Sequence, residues 1–476
     1  MKYRSACLLV WVVLSAVFSC DPPEEVLTTR PDVPLQFSAD SVVFDTVFAQ
    51  TGSVTRRLLV YNHNRQAVEV AEIKLGGLQD SPYRLLIDGR ETPLAQGVRI
   101  RGQDSLYILV KVYIQPNQVN SPFLVNDSIT FRLHGHGQAQ QVQLVAYGQN
   151  AYFHRQEELA CNSVWAADKP HVLFGDVRVA PGCLLTIEQG ARIYAHAKAA
   201  LLVAGSLQVA GTAANRVVFD GDRLESFYDD IPGQWSGIRL LAGSTNNRLR
   251  YADIRNAEVA LLADNADQDP ADFDLILEHC ILRNMYAAGI RSHSADVQAI
   301  NTLITNCGTH AVLGLGGGTY DFRYCTLANF TPAFNRNTPS FAFSDRRPLD
   351  GERHLDYRIK VSMVNSIVWG GRRGGRLPEE MLFLTEGGTT LDTTLSYNIL
   401  QTELYRGTLN KTNKFNADPG FNNSPGQPQP VYPFDYSLTD SSPANGAATP
   451  LADIFLDLTD KPRHPVQPDI GAYERP

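Results

Sequence analysis

Five short segments in the middle of this chain are copies of one another, and their spacing leaves few folds open. Tyr251-Ala252-Asp253-Ile254-Arg255-Asn256 aligns with His279-Cys280-Ile281-Leu282-Arg283-Asn284 and with Asn301-Thr302-Leu303-Ile304-Thr305-Asn306. Tyr324-Cys325-Thr326-Leu327-Ala328-Asn329 follows the same frame, and a last copy, Asn365-Ser366-Ile367-Val368-Trp369-Gly370, ends in Gly. The Asn residues are spaced by 28, 22 and 23 positions, a period that marks one structural unit stacked on the next. The second column (Ala252, Cys280, Thr302, Cys325, Ser366) is small, as a crowded inward position requires. The fourth (Ile254, Leu282, Ile304, Leu327, Val368) is aliphatic and two residues on, so it faces the same way along a strand. The last column, Asn256, Asn284, Asn306 and Asn329, falls where the strand must turn. Asn tolerates left-handed backbone there, and stacked Asn side chains are expected to bond from coil to coil. Gly370 suits the same place.

The pattern of very short strands begins after Cys161, with Leu184–Ile187, Leu201–Val203, Ser206–Val209 and Val217–Phe219 separated by Gly190, Gly205 and Gly211. Short parallel strands need a covered crossover each time, and without helices a solenoid supplies it. This stack constrains the cysteines. Cys280 and Cys325 lie two coils apart, about 9.6 Å at ~4.8 Å per coil, beyond disulfide reach. They are expected to be buried free thiols. Cys161 and Cys183 are 22 residues apart, one coil, and are the pair to test for a bridge. No CxxC occurs, so zinc is not suggested.

Upstream the period is different. From residue 35 to 151, alternating runs such as Arg57–Tyr61, Leu106–Ile114 and Val142–Tyr147 are separated by Gly, Asn, Asp and Pro clusters. About seven such strands predict an immunoglobulin-like β-sandwich. The fold class expected is therefore all-β: a sandwich followed by a right-handed parallel β-helix over 160–476. A loop insertion is expected at about 331–360, where the repeat lapses, and a C-terminal cap at about 412–476. Only 4 Met against 36 Gly and 27 Pro suit short strands and tight turns better than long helices. A net charge of −8 argues against a general nucleic-acid binder.

The first twenty residues read as an address. Lys2 and Arg4 precede an apolar run, Ala6–Phe18, too short to span a bilayer. It ends in Val17-Phe18-Ser19-Cys20, which resembles a bacterial lipobox; Phe18 and Val17 depart from its commonest form. If the lipobox is used, Cys20 carries the lipid and anchors the chain to the outer membrane; ordinary cleavage with Cys20 incidental is the alternative. Asp21-Pro22-Pro23-Glu24-Glu25 follows, within an acidic linker at 21–34, and resembles the surface-export signal of Bacteroidota lipoproteins. Five segments, Asp40-Ser41-Val42, Asp45-Thr46-Val47, Asp104-Ser105-Leu106, Asp127-Ser128-Ile129 and Asp392-Thr393-Thr394, resemble the O-glycosylation sequon of that group.

Residues 170–330 resemble bacterial right-handed β-helix proteins of the pectate-lyase-like superfamily. The likeness rests on Pro181-Gly182-Cys183-Leu184-Leu185-Thr186-Ile187-Glu188-Gln189-Gly190, on Gly205–Thr212 and on Gln234-Trp235-Ser236-Gly237-Ile238. The tail, from Ala417-Asp418-Pro419-Gly420-Phe421 to Asp469-Ile470-Gly471-Ala472-Tyr473-Glu474, resembles the ending of many exported β-helix proteins. These motifs imply a fold and leave activity open, because the fold hosts lyases, hydrolases, adhesins and inert modules.

Chemistry is sparsely signalled. A hydrolase needs paired carboxylates, and Asp229 with Asp230 are the candidates. Gly135-His136-Gly137 and Arg358-Ile359-Lys360 match polygalacturonase fragments in residue type but not in order, and no Asn-Thr-Asp exists. A lyase would need Ca²⁺ held by several carboxylates; Asp220, Asp222, Asp229 and Asp230, or Asp264, Asp267, Asp269 and Asp272, are the sets available. Asp220, Asp222, Tyr228 and Trp235 could line a sugar groove, and Arg372, Arg373 and Arg376 form a basic loop. For each, a turn, a packed core ring or a solvated loop is the competing reading. No cofactor is required.

Three functions stay open: a non-catalytic surface module that binds a glycan or protein, a polysaccharide lyase or hydrolase, and a structural envelope protein. The anchor is the sharpest claim. Expressed in a lipoprotein-processing bacterium fed labelled palmitate, the chain is expected to take up label that Cys20→Ser abolishes; label retained in that variant contradicts the lipobox.

Overall fold

Strands of three to six residues cannot hold a fold singly, and here they are held by stacking. The computed structural model describes residues 26–28, 34–134, 139–265, 272–331, 334–349, 353–372, 375–425, 427 and 433–475. The leader, Cys20, the acidic residues 21–25 and Gly135–Gly137 lie outside them. The described chain is all-β apart from two single 3₁₀ turns. It divides into two compact units between Asn150 and Ala151.

The first unit has ten strands among the described residues, in two five-stranded sheets. Pairings are antiparallel except that Ser41–Phe48 runs parallel to Gln140–Gln149. Alternation places Ile108, Val110 and Val112 of one sheet, and Ile129, Phe131 and Leu144 of the other, in one core. Gln36–Phe37, Arg90–Glu91 and Leu94–Ile100 exceed the expected seven, because edge strands with few buried residues carry little alternation to read.

The second unit is built on three parallel sheets, here A, B and C, which the chain visits in turn, with two small antiparallel pairs outside them. Among the described residues sheet A has 11 strands, sheet B 8 and sheet C 9. Each strand pairs with the strand of the same sheet one coil on. The columns predicted from the repeat are real: Phe219, Ile254, Leu282, Ile304, Leu327, Val368 and Leu400 align across sheet A and are buried. Leu201, Ile238, Leu261, Ile290, Val312, Phe341 and Met381 do the same in sheet B. Burial of each such side chain contributes roughly 1.5–3 kcal/mol. Gly237, in the Trp-Ser-Gly-Ile segment, has φ +102°, and a Cβ there would lie 1.7 Å from the Val259 carbonyl oxygen of the next coil. Only Gly lets the coils close at that point.

Cys161 and Cys183 are disulfide-bonded. Cys280, Cys307 and Cys325 are buried free thiols, pushed up to between about 11 and about 12 by burial. The repeat also runs further than Gly370. Tyr397-Asn398-Ile399-Leu400 is another copy, with Ile399 paired to Ile367. Across 331–360 the sheets continue through Phe341–Ser344 and Ile359–Val364, and the Arg346–Pro348/His354–Asp356 hairpin is what leaves the coil.

The Asn column departs from expectation. Asn256, Asn284 and Asn306 are left-handed, with φ of 57°, 62° and 55°. Asn329 and Gly370 instead lie inside strands that pair with each other. The cause is Arg336, buried and ion-paired to Glu380 at 2.6 Å, whose guanidinium also donates to the Asn329 and Gly371 carbonyls and holds both strands extended. One direct rung forms, Asn306 Nδ2 donating to Asn284 Oδ1 at 3.3 Å.

A second left-handed column runs beside it. Tyr251, His279, Asn301, Tyr324, Asn365 and Tyr397, the first residue of each copy, have φ between 47° and 56° and form the corner from sheet C to sheet A. For bulky residues this backbone is costly, on the order of 1–3 kcal/mol. The C-terminal segment repays it. Tyr251 donates to Asp460, and His279 Nδ1 to the Asp457 carbonyl at 2.8 Å. Asn301 donates to the Leu456 carbonyl at 2.9 Å, Tyr324 to that of Thr449 at 2.9 Å, and Asn365 exchanges two bonds with Thr449. Phe421, Tyr436, Leu438 and the described residues from Ala444 to Ala472 thus cover the outer face of sheet A, with Ile470 and Ala472 fully buried. The expected C-terminal cap lies along the side of the stack.

Burial and the neighbouring His154 hold His171, stacked on Trp165 in the first coils, down to about 4. Burial, with Arg336 and Arg291, does the same to His310. In unfolded chain both would protonate near 6.5, so their contribution is present above that pH and is lost as pH falls toward 4. In an NMR titration both imidazoles are expected to stay neutral to about pH 4; titration near 6.5 contradicts their burial. Thiol reagent is expected to find no reactive cysteine among Cys280, Cys307 and Cys325 in native protein and all three after unfolding. Rapid native reaction would contradict the packing.

Candidate functional site

The acids singled out from sequence lie at the end of the Val217–Gly221 strand and in the loop that follows it. Asp220 accepts bonds from Asn256 Nδ2 at 2.7 Å and from the Gly221 amide, with Arg255 at 3.9 Å. Burial raises its pKa, and Asn256 opposes the shift. Asp222 is likewise raised by burial and accepts from His196 Nδ1 at 2.6 Å. Asp230 accepts from Asn284 Nδ2 at 2.6 Å, and Asn256 also donates to the Asp229 carbonyl at 2.9 Å. The loop is therefore stitched to the Asn column of the coils beneath it. Asp229 itself is exposed.

The aromatic candidates divide. Trp235 is 2% exposed, and its indole N–H donates to the Arg255 carbonyl at 2.8 Å, so its ring belongs to the core. Tyr228 is half-buried under the Arg223 guanidinium, 4.0 Å from the ring centre. Phe227 beside it is 75% exposed. Arg376 stacks over buried Trp369 at 4.4 Å; Arg373 and the Arg372 side chain lie outside the described residues. Of the second acidic set, His293 and Arg347, the latter at 2.7 Å, hold Asp264 down to about 2. Asp272 is exposed, and Asp267 and Asp269 lie outside the described residues. Among the described residues no group of three His, Cys, Asp or Glu could hold a metal ion.

A different site emerges on the outer face of sheet C. There the coils place Arg248 and Arg250, Glu278, Gln298 and Arg323 on successive strands, and residues 453–456 of the C-terminal segment form the facing wall. The groove between them is about 520 Å³, inside the range of small-ligand clefts, roughly 300–1,000 Å³. Arg248 and Arg250 converge on Glu278 at 2.6 and 3.1 Å. Arg323 bridges Asp321 at 2.8 Å and Asp453 at 3.1 Å. Phe455 is 69% exposed. Sequence reading missed this site because its residues come from four coils and from a segment more than 100 residues downstream. The one local signal was Arg248-Leu249-Arg250, a charged–apolar–charged alternation that any half-buried strand can show.

No family model and no curated protein matches the chain. Among solved structures it is similar to a family 123 glycoside hydrolase from Clostridium perfringens, studied for glycolipid glycan hydrolysis (9% identity, 25% of this chain and 30% of that one, TM-score 0.18). It is also similar to the E. coli chaperone DraB (13%, 25% and 55%, TM-score 0.17) and to the PapD-like domain 7 of human CEP192 (12%, 28% and 96%, TM-score 0.18). The chain thus spans under a third of the first of these and about half of the second. Likenesses this slight decide neither fold nor activity.

Removing the Asp220 carboxylate leaves the buried Asn256 amide short of an acceptor and takes a counter-charge from the partly buried Arg255, a loss on the order of 1–3 kcal/mol. Asp220→Ala is expected to lower the urea midpoint by a corresponding amount. An unchanged midpoint would contradict this structural role.

Proposed function

We propose that this chain is an exported, lipid-anchored outer-membrane protein, exposed at the cell surface. An immunoglobulin-like sandwich precedes a right-handed parallel β-helix of the pectate-lyase-like kind, which binds a glycan or a protein partner without cleaving it. The observation that carries the non-catalytic reading is where the carboxylates go. Asp220, Asp222 and Asp230 each accept a short bond from a neighbouring side chain of the fold, which leaves the exposed Asp229 as the one candidate of the four not so engaged, with no second free carboxylate of that set to work with it. Cleavage of a glycosidic bond needs two carboxyl groups facing one scissile bond, one of them free to donate a proton. Exposed aromatics, Phe227 and Phe455, fit a binding surface better.

The test is the full chain, purified in detergent and incubated with neutral and acidic polysaccharides, with bound protein and new chain ends assayed in the same wells. Binding without new ends is expected. Cleavage that disappears in Asp229→Ala or Asp230→Ala would overturn the proposal and make this an enzyme.

A further inference from the structure

The groove on sheet C has a charge balance that limits what can enter it. Of the three guanidiniums that line it, Arg248 and Arg250 pair with Glu278, and Arg323 pairs with Asp453 of the facing wall and with Asp321, which is buried behind the lining, all at 2.6–3.1 Å. Such a set has no excess cation to offer a uronate or sulfate, and an acidic ligand would have to displace an internal carboxylate. It does have an excess of directed hydrogen-bonding capacity. Arg248 donates from Nε and Nη2 to Glu278, while Arg250 is ion-paired to it through Nε at 3.1 Å; a guanidinium has five N–H donors, and both side chains are about half exposed. Gln298 donates to Asp321 at 3.0 Å and leaves its carbonyl oxygen to accept. Alternating planar donors and acceptors fit vicinal hydroxyls, which both give and take hydrogen bonds.

Phe455 supplies the other half of the recognition. Leaving a Phe in water forfeits roughly 1.5–3 kcal/mol of burial, and among the described residues Phe455 stands 69% exposed. Its backbone is nevertheless fixed: the Phe455 carbonyl accepts from the Arg463 amide at 2.8 Å, Leu456 bridges to Pro462, and Ile454 and Leu458 are buried on either side. A rigidly held, exposed aromatic face beside paired charges is suited to the apolar face of a sugar ring.

We infer that this groove binds a neutral glycan, through hydroxyl bonding to the Arg248–Glu278–Arg250 array and stacking on Phe455. This rests on the reading above that the chain binds without cleaving, and narrows it to one face and one ligand class. The experiment titrates the full chain with dextran, xylan and a β-1,3-glucan, and with polygalacturonate and alginate as acidic counterparts. Phe455→Ala and Arg250→Gln, both at exposed positions that leave the core intact, are run alongside. At least one neutral glycan is expected to bind, about tenfold more weakly in each variant, and with little change between about 50 and about 500 mM salt. Binding confined to the acidic polymers and weakened by salt would overturn the inference. So would neutral-glycan binding that both variants retain, or no binding to any polymer. Cleavage of a bound glycan would overturn the non-catalytic reading alone, and its dependence on Phe455 would still support the groove.

Discussion

A single left-handed residue turns the chain from sheet C to sheet A in coil after coil, and what those residues do with their side chains governs the rest of the solenoid. Tyr251, His279, Asn301, Tyr324 and Asn365 all point a polar atom at the C-terminal segment. Arg463 ties these bonds together: it donates to Asn301 Oδ1 at 2.7 Å and to the Gly471 carbonyl, and lies 3.8 Å over the Tyr324 ring. Gly471 has φ +105°, and a Cβ would meet Thr326 Oγ1 and Ile367 Cδ1 at 2.8 Å, so the segment can lie this close only with Gly there. Strained corners and a long terminal segment are therefore one device, in which each compensates for the other.

That device also shapes the functional surface. The same segment that covers sheet A supplies, at residues 453–456, one wall of the groove on sheet C. Its Asp453 completes the charge pairing of Arg323, and its Phe455 is held out by the bonds that dock the segment. By contrast the Asp220–Asp230 loop is turned inward on the Asn column, where carboxylates serve as acceptors for Asn256 and Asn284. The two faces have opposite uses of charge: one closes the coils, the other stays open to solvent.

Much of the stack was legible in the sequence, because a coil repeats its inward residues. The small and aliphatic columns, the buried thiols at Cys280 and Cys325 and the one-coil separation of Cys161 and Cys183 all follow from the period. The Asn column was half legible. Nothing local at Asn329 or Gly370 signals that Arg336 and Glu380, buried together, would pull both into extended strands. The Tyr/His/Asn/Tyr/Asn corner was hidden for a different reason: left-handed Tyr carries no propensity signal, its mixture with His and Asn makes no uniform column, and what stabilises these residues lies more than 80 residues away. The groove shares that origin, so no window along the chain contains it.

The measurement that bears most directly on this account is hydrogen–deuterium exchange of the Arg463→Ala chain beside the wild type. If the C-terminal segment compensates the corner strain, loss of this buried cation, worth roughly 3 kcal/mol or more, should speed exchange in residues 449–475. Ala252–Arg255, Ile281–Arg283 and Leu303–Thr305 of sheet A should then loosen as one unit, by on the order of a hundredfold. Faster exchange in the segment alone, with those strands as protected as before, would show that the solenoid stands without it and contradict the account.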